Sequence, residues 1–338
     1  MTSFIRLNSK ALKHTLLFVV LSTLIACTTS VSVDTSISMG SDLAMVSPEA
    51  VGMDSERLNR VTAAMENLVD EGLLAGAVTI AARDNKVMHF ESVGYRDLES
   101  RALMTNDTLF RIYSMSKPVT GVALMALYEE GKFKLSDPVE MYIPQMKDLQ
   151  VYTGTNADGS MTTEDANHKM TIRELMSHTG GLSYGIFSQS TVDSAYLAAG
   201  IGAAAAAGIL APNETGRDFV RKLGQIPLKS QPGSQWEYSV SVDVQGYLVE
   251  VLSGQKFGEF LEERIFTPLN MEDTAFYVPE EKLSRFSQMY TYSEGGALAP
   301  SELFPGADFT KAPAFESGGA GLVSTAADYM RFSQMLLN

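Results

Sequence analysis

One apolar segment limits the folds that this chain can adopt. Between Val119 and Glu130 the sequence VTGVALMALYEE is apolar on almost every side, and Gly131 follows it directly. A helix of this kind has to be enclosed by other elements, because it offers water no polar face. A glycine after such a run is a common end of a helix. The sequence therefore predicts a domain built around a buried helix that ends close to Gly131.

The segments before this helix predict a helix and an antiparallel sheet, and therefore an α+β domain. The stretch between Asp54 and Gly72 has apolar residues at helical spacing, with Asp54 as the N-cap and Gly72 as the stop. Two β-rich runs then flank Asp84 and Asn85, a dipeptide that favours a tight hairpin. Residues 108–113, TLFRIY, are typical of a short strand.

The segments after the buried helix predict a second, helical lobe. Residues 137–235 contain several prolines and no run of alternating strands, so we expect helix and loop there. Within them, residues 197–210 are rich in Ala and Gly; a packed helix of small residues is favoured over a mobile cover above a pocket. Thr325 and Asp328 have the spacing of a capping box that opens a last helix.

Composition argues against two kinds of partner. The net charge is -14 and the pI is about 4.8, so the surface repels phosphate backbones and no nucleic-acid partner is predicted. The four histidines are scattered and the chain has one cysteine, so the sequence shows no metal-ligand spacing. We predict no metal, no cofactor and no disulfide.

The N-terminus predicts export and a lipid anchor. Residues 1–27 combine a basic start with an apolar run, and LIAC at the end of that run resembles a bacterial lipobox whose Cys27 is lipidated. Thr28, rather than Asp, follows that cysteine, which by analogy favours an outer-membrane lipoprotein facing the periplasm. The alternative is a plain secretory signal and a soluble periplasmic or secreted protein. Residues 28–46 are rich in Ser and Thr and predict a flexible tether, and residues 47–338 form the domain.

Ser114 and Lys117 begin the segment that leads into the buried helix. An offset of three residues places both side chains on one helix face, so the amine can reach the hydroxyl. Pro118 suits a first helical turn, which sets the helix start close to Ser114. A serine hydroxyl becomes a strong nucleophile only when a neighbouring base takes its proton. The pattern S-x-x-K is weak by itself, since a capping serine beside a solvated lysine has the same sequence.

A second candidate lies far along the chain, in QPGSQWEYSVSVDVQGYLVEVLSG at 231–254. A Pro-Gly turn leads through Trp236 to Tyr238, and a helix is predicted to start near Ser241. A tyrosine at the start of a helix can project into a cleft. Trp236 is either a core aromatic or the wall of a pocket.

Four segments in this order resemble the serine β-lactamase-related superfamily, and within it the class C β-lactamases and family VIII carboxylesterases. The segments are FRIYSMSKPVTGVALMALYEEGKFKLSDPV, LMSHTGGL at 175–182, PGSQWEYS, and GGAGLVSTAADYMRF at 318–332. The similarity runs from about Pro48 to the last residue. It implies a β-lactamase/transpeptidase-like fold, in which an antiparallel sheet flanked by helices is joined to a helical lobe.

The resemblance also implies roles for individual residues. Ser114 would attack a carbonyl group and form an acyl-enzyme, with Lys117 as its proton acceptor. Tyr238 would act as base and proton shuttle, and the backbone N–H of Ser114 would be one oxyanion donor. Trp236 is predicted to bind substrate.

Two departures from the family pattern change what is expected. Where a β-lactamase usually has Asn two residues after the tyrosine, this chain has Val240, which favours ester substrates. The family also continues with further strands, one of which bears a third motif of the Lys-Thr-Gly, His-x-Gly or Trp-Gly-Gly type. The chain stops at MLLN without it, so we expect the domain to be incomplete, with its final strands missing.

Four other residues are candidates for a role in the site. His178 in SHTGG suggests a Ser-His-Asp triad, but the chain has no G-x-S-x-G, so we interpret it as structural. Gly319 and Gly321 would let the backbone approach something closely, and both are predicted to bind substrate. Glu237, next to Tyr238, could tune the site or face solvent, and we expect it to face solvent.

The resulting hypothesis is a serine hydrolase that acts on short-chain carboxylic esters through an acyl-enzyme. Its alternatives are a β-lactamase or D,D-peptidase, an amide hydrolase of the nylon-oligomer type, and a non-catalytic binding lipoprotein. The predicted partner is a small-molecule ester or lactam, and the predicted membrane contact is through the lipid anchor only.

Overall fold

The computed structural model of the protein describes residues 43–201, 213–301 and 307–338. The predicted signal peptide, Cys27 and most of the predicted tether lie outside the described residues, as does most of the Ala/Gly-rich segment 197–210. These assignments stay predictions of the sequence. No helix in the described ranges is long and apolar enough to cross a membrane.

The described ranges contain both short strands and helices. The strands are β1 (Gly76–Arg83), β2 (Lys86–Asp97), β3 (Ala102–Leu103), β4 (Phe110–Arg111), β5 (Gln150–Thr155), β6 (Met161–Asp165), β7 (Tyr290–Tyr292), β8 (Leu298–Pro300) and β9 (Val323–Ser324). The α-helices are α1 (Ser55–Asp70), α2 (Ser116–Glu129), α3 (Ile172–Met176), α4 (Thr191–Ala198), α5 (Gly216–Leu223), α6 (Ser241–Ser253), α7 (Phe257–Leu261) and α8 (Ala326–Leu337).

The first part of the domain is a helix followed by an antiparallel sheet, as predicted. The Asp54 carboxylate accepts the Arg57 N–H at the start of α1, which is the predicted cap. Strands β1 and β2 form a hairpin, and both turn residues, Asp84 and Asn85, have positive φ (50° and 58°). The short strand β3 pairs with β2, and α1 and α8 pack against β1. The predicted α+β class is confirmed.

The central helix is buried, as its sequence predicts. In α2, Val119, Leu124 and Leu127 are at most 1% exposed, and the helix packs chiefly against α6. It begins at Ser116, three residues before the apolar run, and ends at Glu129 beside Gly131. The packed pair of helices α2 and α6 therefore positions the functional residues that lie at their N-terminal ends.

One part of the helical lobe differs from the prediction. Residues 150–165 form a hairpin, β5–β6, and not helix or loop. Most of its side chains are at least partly exposed, and of the two strands only Val151 is buried, bridged to Leu228. A strand of this kind has no alternating apolar pattern, because only one of its residues enters the core.

The predicted strand at 108–113 is reduced to β4, which pairs with β9. The chain then turns into a 3₁₀ segment, Tyr113–Met115, directly before α2. Pairing with β9 brings the glycine-rich segment that precedes β9 next to this turn. Ile112 N–H donates to Leu322 O at 3.0 Å, which fastens the two segments together.

Candidate active site

Ser114 and Lys117 lie where the chain enters α2. Ser114 is exposed in the 3₁₀ turn, and Lys117 is in the first turn of the helix. Lys117 Nζ donates to Ser114 Oγ at 3.0 Å. Pro118 also lies in this first turn, where its missing N–H interrupts no helical bond. The structure therefore brings the amine to the hydroxyl within one turn of chain.

The residue before the serine has an uncommon backbone conformation. Tyr113 has a φ of 42°, in the left-handed region that side chains other than glycine rarely adopt. Its hydroxyl donates to Met289 Sδ at 3.2 Å, and its ring packs edge-on against Phe309. Such a conformation costs on the order of 1 kcal/mol and is maintained by surrounding contacts. The contacts with Met289 and Phe309 thus stabilise the turn that contains Ser114.

Tyr238 reaches the same hydroxyl from a distant segment. Its Oη lies 2.8 Å from Ser114 Oγ. Tyr238 stands just before α6, and the N–H of Val240 donates to Ser183 O at 3.1 Å. Because α2 and α6 pack side by side, the groups at their N-terminal ends meet.

The Lys117 amine is surrounded by further partners. It donates to Gly319 O at 2.7 Å. It also lies 4.8 Å from the ring centroid of Tyr238 and 5.7 Å from that of Tyr184, both within cation–π range. These contacts hold the ammonium group beside Ser114 and limit where it can move.

Gly319 and Gly321 are buried in the segment that follows Ser317. A Cβ on Gly319 would lie 2.7 Å from the Asp243 carboxylate, and one on Gly321 would lie 2.8 Å from Ser317 O. These glycines therefore do allow a close approach, and the groups that approach are Asp243 and Ser317 of the protein itself. Their predicted contact with substrate stays a prediction.

The sequence around this site matches a known protein family. The Beta-lactamase family model matches residues 61–338. The chain belongs to the Beta-lactamase family. The predicted resemblance and the β-lactamase/transpeptidase-like fold are thereby confirmed.

Relatives within the Beta-lactamase family include esterases. An uncharacterized protein of Mycobacterium tuberculosis is 35% identical over 277 residues, which cover 81% of this chain and 65% of the relative. Esterase EstB of Burkholderia gladioli is 31% identical over 317 residues, 85% of this chain and 72% of the esterase. The solved structure of EstCE1, a hydrolase with promiscuous acyltransferase activity, has a TM-score of 0.69 and 28% identity over 83% of this chain and 72% of that chain. The chain spans about two thirds of the length of the curated relatives it matches.

Val240 occupies the place where a β-lactamase of this family usually has Asn. Its side chain is 0% exposed and belongs to the main hydrophobic core. It therefore presents no amide to the space above Ser114. A polar arm for a lactam is lacking at this position.

Aromatic rings surround Tyr238, and two of them were missed by sequence reasoning. Tyr184 stacks on Tyr238 with a centroid separation of 5.5 Å and an interplanar angle of 3°. Phe187 packs at 5.7 Å and Trp236 at 6.2 Å from the same ring, and these two side chains are 67% and 63% exposed. Trp236 is thus a rim residue and not a core aromatic. Tyr184 and Phe187 had one signal: an aromatic cluster directly after the SHTGGL motif.

His178 supports Tyr238 and does not touch the nucleophile. Its ring packs 5.1 Å from that of Tyr238, and its Nδ1 accepts the backbone N–H of Ser239 at 3.2 Å. Burial lowers the pKa of His178 to about 4, and the nearby Lys117 charge adds to that shift. The imidazole is therefore neutral at pH 7, and its geometry agrees with the structural role interpreted from the sequence.

The expectation that Glu237 faces solvent is wrong. Its carboxylate pairs with Lys229, and its side chain is 24% exposed. Lys229 Nζ also lies 3.7 Å from Asp193, which is buried under the loop that carries Tyr184. The side chain next to Tyr238 thus ties this aromatic wall to an internal ion-pair network, which the linear sequence did not reveal.

Asp243 is a further residue that sequence reasoning missed. It lies in the first turn of α6 and is 0% exposed. An aspartate in a first helical turn normally needs no special explanation, because the helix dipole favours it there. In the described ranges no three His, Cys, Asp or Glu side chains are grouped so that they could hold a metal ion.

Proposed function

We propose that the protein is a serine hydrolase that acts on short-chain carboxylic esters through an acyl-Ser114 intermediate. The observation that carries the proposal is that Ser114 Oγ lies within hydrogen-bond distance of both Lys117 Nζ and Tyr238 Oη. A nucleophile with two proton-accepting neighbours is the arrangement that acyl transfer requires. The esterases among its relatives support the same class of reaction.

The residues around Ser114 account for both halves of the reaction. Ser114 Oγ bonds to the ester carbonyl carbon while its proton passes to the deprotonated form of Tyr238 or Lys117, and the alcohol leaves with that proton. Water then attacks the acyl carbon, the acid is released, and Ser114 regains its proton. The N–H of Ser114, at the positive end of α2, is one donor for the oxyanion of each tetrahedral intermediate.

Val240 supports an ester over a lactam. A lactam amide gains from a polar side chain that holds it, and here the corresponding side chain is apolar and buried. A simple carboxylic ester has no amide group that needs such a partner, so the lack of that arm costs it less. The exposed rings of Phe187 and Trp236 offer an apolar surface to an acyl or aryl group.

A second candidate reaction is transfer of the acyl group to an alcohol other than water. Acyltransferase mokF of Monascus pilosus is 28% identical over 305 residues. Ser114 is exposed, and the aromatic rim beside it would favour an organic acceptor over water. Both reactions share the same acyl-enzyme and differ only in what attacks it.

Labelling with a fluorophosphonate, followed by peptide mass spectrometry, tests the acyl-enzyme site. We expect one adduct, on Ser114, and none in Ser114→Ala. Ser100→Ala is the matched control, since Ser100 is an exposed serine between β2 and β3. Failure of the protein to react, or an adduct at another serine, would contradict the proposal.

Substrate rates then decide the ester assignment. Hydrolysis of p-nitrophenyl butyrate is expected to be much faster than that of nitrocefin, and a short-chain alcohol in the medium should divert part of the product to a new ester. Nitrocefin as the far better substrate would favour a β-lactamase. Labelling without turnover of either compound would favour a binding protein.

A further inference from the structure

Asp243 is a buried carboxylate that the proposed reaction does not use directly. Its Oδ1 accepts the Ser317 hydroxyl at 2.5 Å and the Gly319 N–H at 3.1 Å. Its Oδ2 is buried and has no hydrogen-bond partner among the described residues. Buried carboxylates are normally surrounded by donors, because an unsatisfied charged oxygen is expensive. Asp243 therefore occupies a position that folding alone would not favour.

A short path of contacts joins this carboxylate to the nucleophile. Gly319 donates its N–H to Asp243 and accepts the Lys117 amine on its carbonyl at 2.7 Å. Lys117 in turn donates to Ser114 Oγ at 3.0 Å. No side chain fits between the first two residues, because a Cβ on Gly319 would lie 2.7 Å from Asp243 Oδ2. The orientation of Gly319 therefore depends on Asp243, and so does the position of the carbonyl that accepts the Lys117 amine.

Charge acts along the same path. Burial raises the pKa of Asp243 to about 6, and the positive charge of Lys117 and the donors from Ser317 and Gly319 oppose that rise. The groups that interact electrostatically with Asp243 are Lys117, on α2, and the buried phenol of Tyr184. The attraction between Asp243 and Lys117 thus favours the ionised form of the carboxyl against its burial.

We infer that Asp243 is a positioning residue that holds the Lys117 amine at Ser114, by fixing Gly319 and by supplying a buried negative charge behind it. The inference rests on the proposed function, because it assigns a purpose to Asp243 only if Ser114 is the nucleophile. A purely structural residue at this place would be better as a neutral side chain, since a buried ion costs desolvation that two hydrogen bonds only partly offset.

Asp243→Asn tests the inference, because it removes the charge and keeps the size and one acceptor oxygen. We expect the rate of fluorophosphonate labelling at pH 8 to fall about tenfold or more, as misplacement of a reacting group slows chemistry strongly. With p-nitrophenyl butyrate, kcat should fall while KM stays nearly constant, because Asp243 does not line the cleft. In the wild type the pH profile of labelling should contain a step near the Asp243 pKa of about 6, and the variant should lack that step.

Glu316→Gln is the matched control. Glu316 is also a largely buried carboxyl whose pKa burial raises, and it precedes Ser317, but it accepts the Gly258 N–H, and the charges that act on it are those of Lys256 and Glu259. Its labelling rate should stay within about twofold of the wild type. Thermal unfolding of each variant shows whether the fold is retained.

Gly319→Ala keeps the test decisive if Asp243→Asn does not fold. The added Cβ must displace either Asp243 or Gly319, so labelling should slow, whereas Gly121→Ala, which meets nothing within 4 Å, should not slow it. A wild type that is not labelled on Ser114 contradicts the proposed function, and the inference falls with it. A labelled wild type with unchanged rates and pH profile in Asp243→Asn and Gly319→Ala overturns the inference alone.

Discussion

Two buried aspartates lie near the candidate site and differ in how many hydrogen bonds they accept. Asp193, in the first turn of α4, is 1% exposed and accepts hydrogen bonds from the hydroxyls of Ser183, Ser188 and Ser190 and from the Ser190 N–H. Asp243, in the first turn of α6, is 0% exposed and has two donors on one oxygen. Both side chains are closed to solvent, but their hydrogen-bond donors differ in number.

The pKa values of the two carboxyls move in opposite directions. Burial opposes ionisation of Asp193, but the hydroxyl donors outweigh it and hold its pKa well below the usual range. Burial dominates at Asp243 and raises its pKa to about 6. Asp193 has more donors and lies less deep than Asp243, and both differences favour its ionised form.

This difference separates a structural role for Asp193 from a role for Asp243 at the site. Asp193 fastens the loop that carries Tyr184 and Phe187, and a fully satisfied network of this kind makes the aromatic wall rigid. Asp243 is under-satisfied beside Lys117, and proteins retain such costs mainly where a site needs them. The two aspartates thus act on neighbouring segments of the site, one as a fully hydrogen-bonded group and the other as an under-satisfied one.

The largest effect is expected from Asp193→Asn. The amide presents an N–H₂ group to hydroxyl and backbone donors that need an acceptor, so the free energy of unfolding at pH 7 should fall by about 3 kcal/mol. Urea titration followed by circular dichroism measures it. Asp158→Asn, in the exposed turn of the β5–β6 hairpin, is the control and should change stability by less than about 0.5 kcal/mol. Equal losses in the two variants would contradict the comparison.

Asp243→Asn should change stability in the opposite direction. A carboxyl whose folded pKa of about 6 exceeds its ordinary 3.8 binds its proton more tightly in the folded protein, so the wild type loses stability as pH rises from about 4 to 6. At pH 8 the variant should therefore be more stable by about 2 kcal/mol, and at pH 4 the difference should vanish. Urea titrations at both pH values give the two differences. A variant that is less stable at pH 8 would show that Asp243 is as well satisfied as Asp193.

The smallest effect is expected from Lys229→Gln. Lys229 is the cation nearest to Asp193 and also pairs with Glu237, but its Nζ lies 3.7 Å from the aspartate, farther than the hydroxyls. Its loss should cost about 1 kcal/mol of unfolding free energy at pH 7. The same urea assay applies, with Lys311→Gln, an exposed ion pair with Asp308, as the control. A loss as large as that of Asp193→Asn would show that the cation, and not the hydroxyls, satisfies this carboxylate.

The predictions that succeeded depend on short-range signals. The Asp54 cap, the turn at Asp84 and the buried helix α2 each follow from a few neighbouring residues, whose propensities and periodicity agree with the final fold. The β5–β6 hairpin was missed because it enters the core through a single side chain. The same reasoning explains why Ser114 and Lys117 were found together: one helical turn contains both.

The residues that were missed, or wrongly placed, depend on contacts between distant segments. Glu237 was expected in solvent, and it pairs with Lys229 eight residues earlier only because the chain turns back on itself. Tyr184 becomes part of the site by stacking on Tyr238. In the sequence Asp243 is an ordinary first-turn aspartate, and its burial follows only from the contact with the distant segment Ser317–Gly319.

The sequence by itself determined the chemical groups of this protein: a serine and a lysine one helical turn apart, a tyrosine at a helix start, and a valine where a lactamase has an amide. These follow from residue identity and local geometry, which act over a few residues. Only the tertiary structure decided the environment of each group, because burial, donor count and neighbouring charge are set by segments far apart in the chain. That environment makes Asp193 a stabilising carboxylate and Asp243 a costly one beside the nucleophile.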